Sequence, residues 1–274
     1  MIELIHTINF LLPILYVITF SFYLISFFKS KKNFSVTKKL FLFVTLLVHL
    51  TYILLRTIEF KHAPITNLFE IFTLLALAIT TSYYLIEILT EIRNTGLFIL
   101  FLPLIFQLIS SMCIKDLLEI KEILKTPYLG IHVATALTGY AGITISAIYG
   151  LLYLLLRTQI KNQKYGLIFN RLPNLEILEV LNVTSAIIGF IMLTIAITIG
   201  IIWLPKAFTD PSYFDPKLIA TVLVWLFYAF GLSGRWFFKW GGRKSIYFSL
   251  IGFAISLFSM SILNLLFTGF HRFF

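Results

Sequence analysis

The 274-residue chain is 59% apolar and only 12% charged, with 22 Lys plus Arg against 12 Asp plus Glu and a net charge of +10. Soluble domains run at roughly 45–50% apolar and ~25% charged residues, so a water-soluble core of this size is excluded and an all-α, polytopic membrane protein is expected. The lone Cys113 excludes an internal disulfide and thiolate metal clusters, and no Cys-x-x-Cys-His is present to attach haem covalently.

Eight stretches approach the ~20 apolar residues that a spanning helix needs: 5–28, 40–55, 68–89, 97–113, 129–156, 180–204, 218–234 and 246–267. The first is too long for a cleavable signal core, has no basic flank before it and meets Lys29 after it, so it reads as a retained span. Between the fourth and fifth spans, Ile114, Leu117, Leu118, Ile123 and Leu124 share a helical face opposite Lys115, Glu119, Glu122 and Lys125. That pattern predicts a short amphipathic helix lying on the membrane surface. The fifth span repeats small residues, Ala134, Thr138, Gly142, Ser146 and Gly150, at four-residue steps, a stripe that lets a neighbouring helix come close. Ahead of the sixth span, Leu172, Pro173, Asn174, Leu175 and Glu176 open a second short amphipathic segment, with Pro near its first turn.

Alternate connections, those holding Lys29–Lys39, Arg93, Arg157–Arg171 and Arg235–Lys244, carry the larger share of Lys and Arg. The positive-inside tendency makes these cytoplasmic and puts both termini outside. The basic clusters are thus topology signals rather than a nucleic-acid surface, and no nucleic-acid partner is expected. The whole chain, 1–274, reads as a single membrane domain in the bilayer.

Topology also sorts the five histidines. His6, His62, His132 and His271 fall at the outer face, whereas His49 sits ~14 Å into the second span at ~1.5 Å per residue. An ionisable side chain at that depth has a functional or a bundle-packing reason. The outer histidines lack an acidic triad or a nucleophile beside a base, so no hydrolase assembles and no catalytic residue is assigned. Zinc would want three or four neighbouring ligands. Haem iron needs two imidazoles on opposite faces of a flat apolar macrocycle. Trp203, Phe208, Tyr213 and Phe214, followed by Asp215, Pro216 and Lys217, place aromatic residues between the sixth and seventh spans, where an interfacial belt would look similar. An ion or solute transporter would need a polar path, for which the spans offer mainly His49, Glu70 and scattered Ser and Thr.

Five ordered pieces of the chain resemble the haem-handling membrane proteins of cytochrome c assembly, the family that includes CcsA and CcmC. The likeness runs over 49–274 and is closest to the HemX-type branch. Arg56 with His62, Pro64, Thr66, Asn67, Leu68, Phe69 and Glu70 is similar to the family's H-x-P-x-S-N-L-Y-E at the head of a span. His132, Val133 and Tyr140 form the second piece, and Leu172, Pro173, Leu175, Leu178 and Glu179 the third. Trp203 through Asp215, Pro216, Lys217 and Trp225 to Arg235 follows the tryptophan-rich outer segment. Asn264, Leu265, Leu266, Gly269, Phe270 and His271 resemble the closing N-L-L-x-x-G-L-H. This chain has Phe208, Ser212, Phe214 and Ala220 where the family carries tryptophans, and Ser233 where many members have an intramembrane histidine.

The resemblance implies a protein of the cell inner (cytoplasmic) membrane that binds b-type haem non-covalently and takes part in cytochrome c maturation. His132 and His271 would be the outer axial ligands of the iron. Trp203, Phe214 and Asp215 would belong to the platform for the macrocycle, and His49 would match a histidine of the family's membrane part. The implied partners are apocytochrome c and a CcsB-type membrane protein, with the chain a non-catalytic member of the synthase system. The alternative implied by the HemX-type branch is a regulator of haem biosynthesis acting through its cytoplasmic segment 157–179.

Overall fold

The computed structural model describes residues 1–29, 32–90, 92, 94–116, 120, 122–163, 165–207 and 216–266. The helices are α1 (Ile2–Lys29), α2 (Lys32–Phe60), α3 (Leu68–Thr90), α4 (Gly96–Cys113), α5 (Pro127–Lys161), α6 (Leu167–Arg171), α7 (Leu175–Ala207), α8 (Pro216–Phe237) and α9 (Arg243–Leu266), with one 3-10 turn at Glu122–Lys125. No strand occurs among the described residues. Seven of the helices, α1 to α5, α7 and α8, are long and apolar enough to cross a membrane. The 24-residue α9 fills the eighth expected stretch. The chain is an all-α, polytopic membrane protein.

Backbone groups in hydrocarbon must bond within their own helix, and hydroxyls that face outward need an equally local partner. The exposed Thr7, Ser21, Thr51, Thr90, Thr138 and Thr158 each donate to the carbonyl four residues earlier, at 2.6–2.8 Å. Large apolar side chains such as Phe10, Leu54, Leu89, Phe230 and Ile251 cover the same outward surfaces.

Three elements differ from expectation. Helix α2 runs well beyond 40–55 and takes in Lys38 and Arg56, which the sequence placed in connections. Both are buried there, because α3 supplies a carboxylate for each: Glu87 for Lys38 and Glu70 for Arg56. Where an amphipathic surface helix was expected, the described residues show only the single turn Glu122–Lys125, closed by a Lys125–Glu122 ion pair at 2.6 Å. Residues 117–119 and 121 of that segment lie outside the described ones. The expected segment at 172–176 is instead the start of α7. Asn174 Oδ1 accepts from the Ile177 amide at 2.8 Å, which satisfies an orphan N–H of the first turn.

The chain divides into two compact units, Met1–Gly130 with Asn170–Leu172, and Ile131–Phe169 with Pro173–Phe273. In the first, α1 to α4 close over Ile5, Leu12, Tyr16, Tyr52 and Leu104. In the second, the core is Ile143, Ala186, Leu193, Val224 and Tyr228. Trp225 stacks on Phe190 with ring centroids 5.3 Å apart and donates its indole N–H to Thr194 at 2.7 Å.

The small-residue stripe of α5 does what its spacing foretold from Gly142 onward. A Cβ on Gly142 would sit 2.8 Å from the Gly189 backbone, and one on Gly189 would sit 2.9 Å from the Gly139 carbonyl and the Ile143 amide. One turn on, Asn182 of α7 donates to Ser146 O at 2.7 Å and to Ser249 Oγ of α9 at 2.7 Å. Because neither backbone can yield, Gly142→Leu and Gly189→Leu are each expected to destabilise the second unit by about 1–3 kcal/mol or more. A thermal melt in detergent should show this, while Gly166→Leu, in open space, leaves the midpoint unchanged.

Candidate functional site

The first motif builds a buried knot at the start of α3. Asn67 is the N-cap, its Oδ1 accepting the Glu70 amide at 3.0 Å. Glu70 reaches back so that its Oε2 accepts from the Thr66 amide at 2.7 Å and the Thr66 hydroxyl at 2.8 Å. This is the reciprocal geometry of a capping box, shifted by one residue. The other oxygen of Glu70 takes Arg56 Nη2 at 2.8 Å, Arg56 Nη1 holds Asp116 at 2.8 Å, and His6 meets Asp116 at 3.0 Å. The guanidinium also lies 4.9 Å from the Phe60 ring centre. His62, tilted against Phe60, is buried and donates from Nδ1 to the Ala63 carbonyl at 2.8 Å, with no partner for Nε2 among the described residues.

His49 stands fully buried in the same unit. Thr73 donates its hydroxyl to Gln107 Oε1 at 2.8 Å, so it can only accept from His49 Nε2, 2.9 Å away. Nδ1 is then the acceptor, and the Tyr16 hydroxyl donates to it at 2.9 Å. Both ring nitrogens are engaged. A metal ligand at this position would have to displace the Tyr16 hydroxyl from the one available lone pair.

His132, on the first turns of α5, has the opposite arrangement. Its Nδ1–H donates to the Ala196 carbonyl of α7 at 2.9 Å, and among the described residues nothing occupies the Nε2 lone pair. Gly200, one turn beyond Ala196, makes the space: a Cβ there would sit 2.9 Å from His132 Cε1. Trp203 lies one further turn along the same face of α7 and is partly buried. An imidazole whose first nitrogen is anchored on a backbone carbonyl while the second is open is the form that metal-ligating histidines take. Phe214, Asp215 and His271, the other expected members of this site, lie outside the described residues. Ser233 is exposed on α8.

The third and fourth motif pieces meet directly. Glu179 of α7 holds Arg235 at the end of α8 at 2.8 Å, and both remain partly exposed. The return to α9 passes close to this carboxylate, with a Cβ on Gly241 falling 3.5 Å from Glu179 Oε1. Gly242, at φ +56°, adopts a left-handed turn that glycine tolerates.

Sequence reasoning missed several participants. Gly200 left only an isolated glycine within an apolar span, a cue for close approach. Tyr16 and Gln107 left none, since their role appears only when α1 and α4 are packed against α2 and α3.

The all-α membrane bundle, with the buried knot at Arg56 and Glu70 and the Glu179–Arg235 pair built from the motif pieces, is that of a membrane protein of the cytochrome-maturation class. Over residues 6–271 the chain matches the model of the family described as cytochrome C assembly protein, and it belongs to that family. The match includes α1, which the resemblance read from the sequence alone did not reach. It is similar to the "Cytochrome c biogenesis protein CcsA" of Prochlorococcus marinus (strain MIT 9301), at 27% identity over 271 residues, covering 90% of this chain and 86% of that protein. The proteins of the same name in Guillardia theta and Chlamydomonas reinhardtii are 25% and 27% identical over 238 and 231 residues. These cover 80% and 81% of this chain, and 79% and 64% of those proteins.

The two ion pairs of the motifs differ in burial and should differ in cost. Arg56→Met strands two carboxylates, one of them fully buried, and is expected to destabilise by about 3–5 kcal/mol. Arg235→Met opens a pair that is partly exposed and should cost less, about 1 kcal/mol. Chemical denaturation of the two variants in detergent checks the ordering.

Proposed function

We propose that this protein holds b-type haem non-covalently for cytochrome c maturation, using His132 and His271 as axial ligands at the non-cytosolic face of the cell inner membrane. The single observation that supports this reading is the state of His132: anchored through Nδ1–H on Ala196, given room by Gly200, and left with an open Nε2 lone pair. The donor set suits haem, since an imidazole nitrogen on a mostly apolar helix face is what the iron and the macrocycle require.

Haem is the cargo, and its iron supplies the redox chemistry. The chain's own residues bind and orient it. Ala196 fixes the ring plane of His132 through one hydrogen bond, and Gly200 keeps the ring from being pushed off that carbonyl. Trp203, Phe214 and Asp215 would line the platform. Delivery goes to apocytochrome c, with a CcsB-type membrane protein as partner, and no acid, base or nucleophile of this chain is required.

The HemX-like reading is favoured by a different feature. The stretch from Ile160 in the last turn of α5 to Leu167 at the start of α6 is exposed wherever it is described, and Tyr165 is packed edge-on to Phe169. Substituting Arg157, Lys161, Lys164 and Arg171 would impair regulation of haem synthesis on that reading, without altering a haem spectrum.

The purified protein supplied with haem is expected to show a low-spin bis-imidazole absorbance spectrum that disappears in His132→Ala and in His271→Ala. Gly200→Val should weaken haem binding while leaving both histidines in place. A spectrum unchanged in both alanine variants overturns the assignment.

A further inference from the structure

In the second unit, α7, α8 and α9 leave a partly open crevice of about 280 Å³ toward the end where α8 turns back into α9. Tyr228, Gly231 and Leu232 of α8 and Ser245, Phe248 and Ser249 of α9 line it, with α7 closing the back. Gly231 brings α8 and α9 together, since a Cβ there would stand 2.5 Å from Phe248 Cδ1. The walls combine ring and aliphatic carbon with three hydroxyls. Tyr228 donates to the Ser249 carbonyl at 3.3 Å and Ser249 to the Ile246 carbonyl at 3.0 Å. The Ser245 hydroxyl has no partner among the described residues.

The connection from α8 to α9 is short and tightly built. The Phe238 and Trp240 amides both donate to the Gly234 carbonyl, at 3.0 and 3.3 Å, and the Trp240 ring covers Gly234. Trp236, Phe237 and Phe238 stand exposed at the end of α8 and just beyond it. Aromatic rings gather at the headgroup level of a bilayer, so these three mark the depth at which lipid phosphates lie. Three cations share that depth. Lys239, Arg243 and Lys244 are exposed, and none has a carboxylate partner among the described residues. Arg235, by contrast, is taken by Glu179 at 2.8 Å.

A topology signal asks only that basic residues lie in the connection, and any position there would serve. It does not call for a crevice beneath them. From the turn inward the surface changes in order: cations at Lys239, Arg243 and Lys244, then the unpartnered Ser245 hydroxyl, then carbon at Phe248 and the Tyr228 ring. A glycerophospholipid presents the matching series of phosphate, ester carbonyl and acyl chain. Basic pockets between spanning helices are the form that anionic-lipid sites take. A free phosphate would leave the apolar part of the crevice uncovered, and a zwitterionic lipid would bring its own cation against these three.

We propose that this crevice binds one anionic glycerophospholipid, drawn from the leaflet that the α8–α9 connection faces. Its phosphate lies among Lys239, Arg243 and Lys244, an ester carbonyl accepts from Ser245, and the start of one acyl chain enters between Leu232 and Phe248. The lipid thereby fastens α8 to α9 at the end where the crevice holds them apart. Ala186, at the back of the crevice, precedes Ala196 on α7 by about 15 Å at the α-helical rise. The lipid site is thus separate from His132, and neither proposal requires the other.

The test is native mass spectrometry of the full chain in detergent, titrated with phosphatidylglycerol and with phosphatidylcholine of the same acyl chains. One phosphatidylglycerol per chain is expected to bind roughly tenfold or more tightly than phosphatidylcholine. A variant combining Lys239→Gln, Arg243→Gln and Lys244→Gln should lose about fivefold in affinity for each charge removed. Ser245→Phe, which fills the crevice and keeps every charge, should also release the lipid, and Leu232→Trp repeats that block if Ser245→Phe does not fold. Equal binding of the two lipids overturns the proposal, as does full retention of phosphatidylglycerol by the glutamine variant or by a crevice variant that melts like the parent protein. Displacement of phosphatidylglycerol by millimolar inorganic phosphate would make a free phosphate the occupant and overturns it as well.

Discussion

Buried charge is the constraint on which the first unit depends. Removing an ion from water costs several kcal/mol unless an opposite charge and hydrogen bonds meet it, and in hydrocarbon no water stands ready to repair a missing partner. Arg56, Glu70, Lys38 and Glu87 are all buried in α2 and α3, and each pairs across those two helices. The relative rotation and depth of α2 and α3 follow from this, because sliding one by a turn would separate both pairs together. Tyr16 from α1 and Gln107 from α4 then attach through the hydrogen bonds around His49 and Thr73.

The second unit relies on a different device, close backbone approach. Gly139, Gly142 and Gly189 let α5 and α7 meet with almost no side chain between them, and Asn182 ties the seam to α9. In a membrane such packing substitutes for the hydrophobic effect, which cannot draw apolar helices out of an apolar solvent. Gly200 extends the same principle to His132: a missing side chain on α7 becomes the seat of an imidazole from α5. Helix packing and the orientation of that imidazole therefore share one cause.

The helices were legible because hydrocarbon thickness leaves a coarse imprint, long apolar runs separated by polar ones. The capping box at Asn67 and Glu70 was legible as a motif, though its burial and its grip on Arg56 were not. Lys38 was misplaced into a connection because a lysine at the edge of an apolar run ordinarily marks a boundary, and only Glu87, 49 residues later, makes it a buried residue. The hydrogen bonds around His49 were hidden for the same reason. Thr, Tyr and Gln are unremarkable singly, and their alignment depends on the rotation of four helices. His132 was legible as a candidate, whereas its free nitrogen depended on a carbonyl 64 residues away.

The two ion pairs of the first unit both lie within a single helical hairpin, α2 and α3, joined by the short connection 61–67. During synthesis, that hairpin already contains a counter-charge for every buried charge it carries, save the share of Arg56 later taken by Asp116. It can therefore partition into the bilayer as one electrically compensated piece. Neither lysine nor arginine has to wait at the interface for a helix that the ribosome has yet to make.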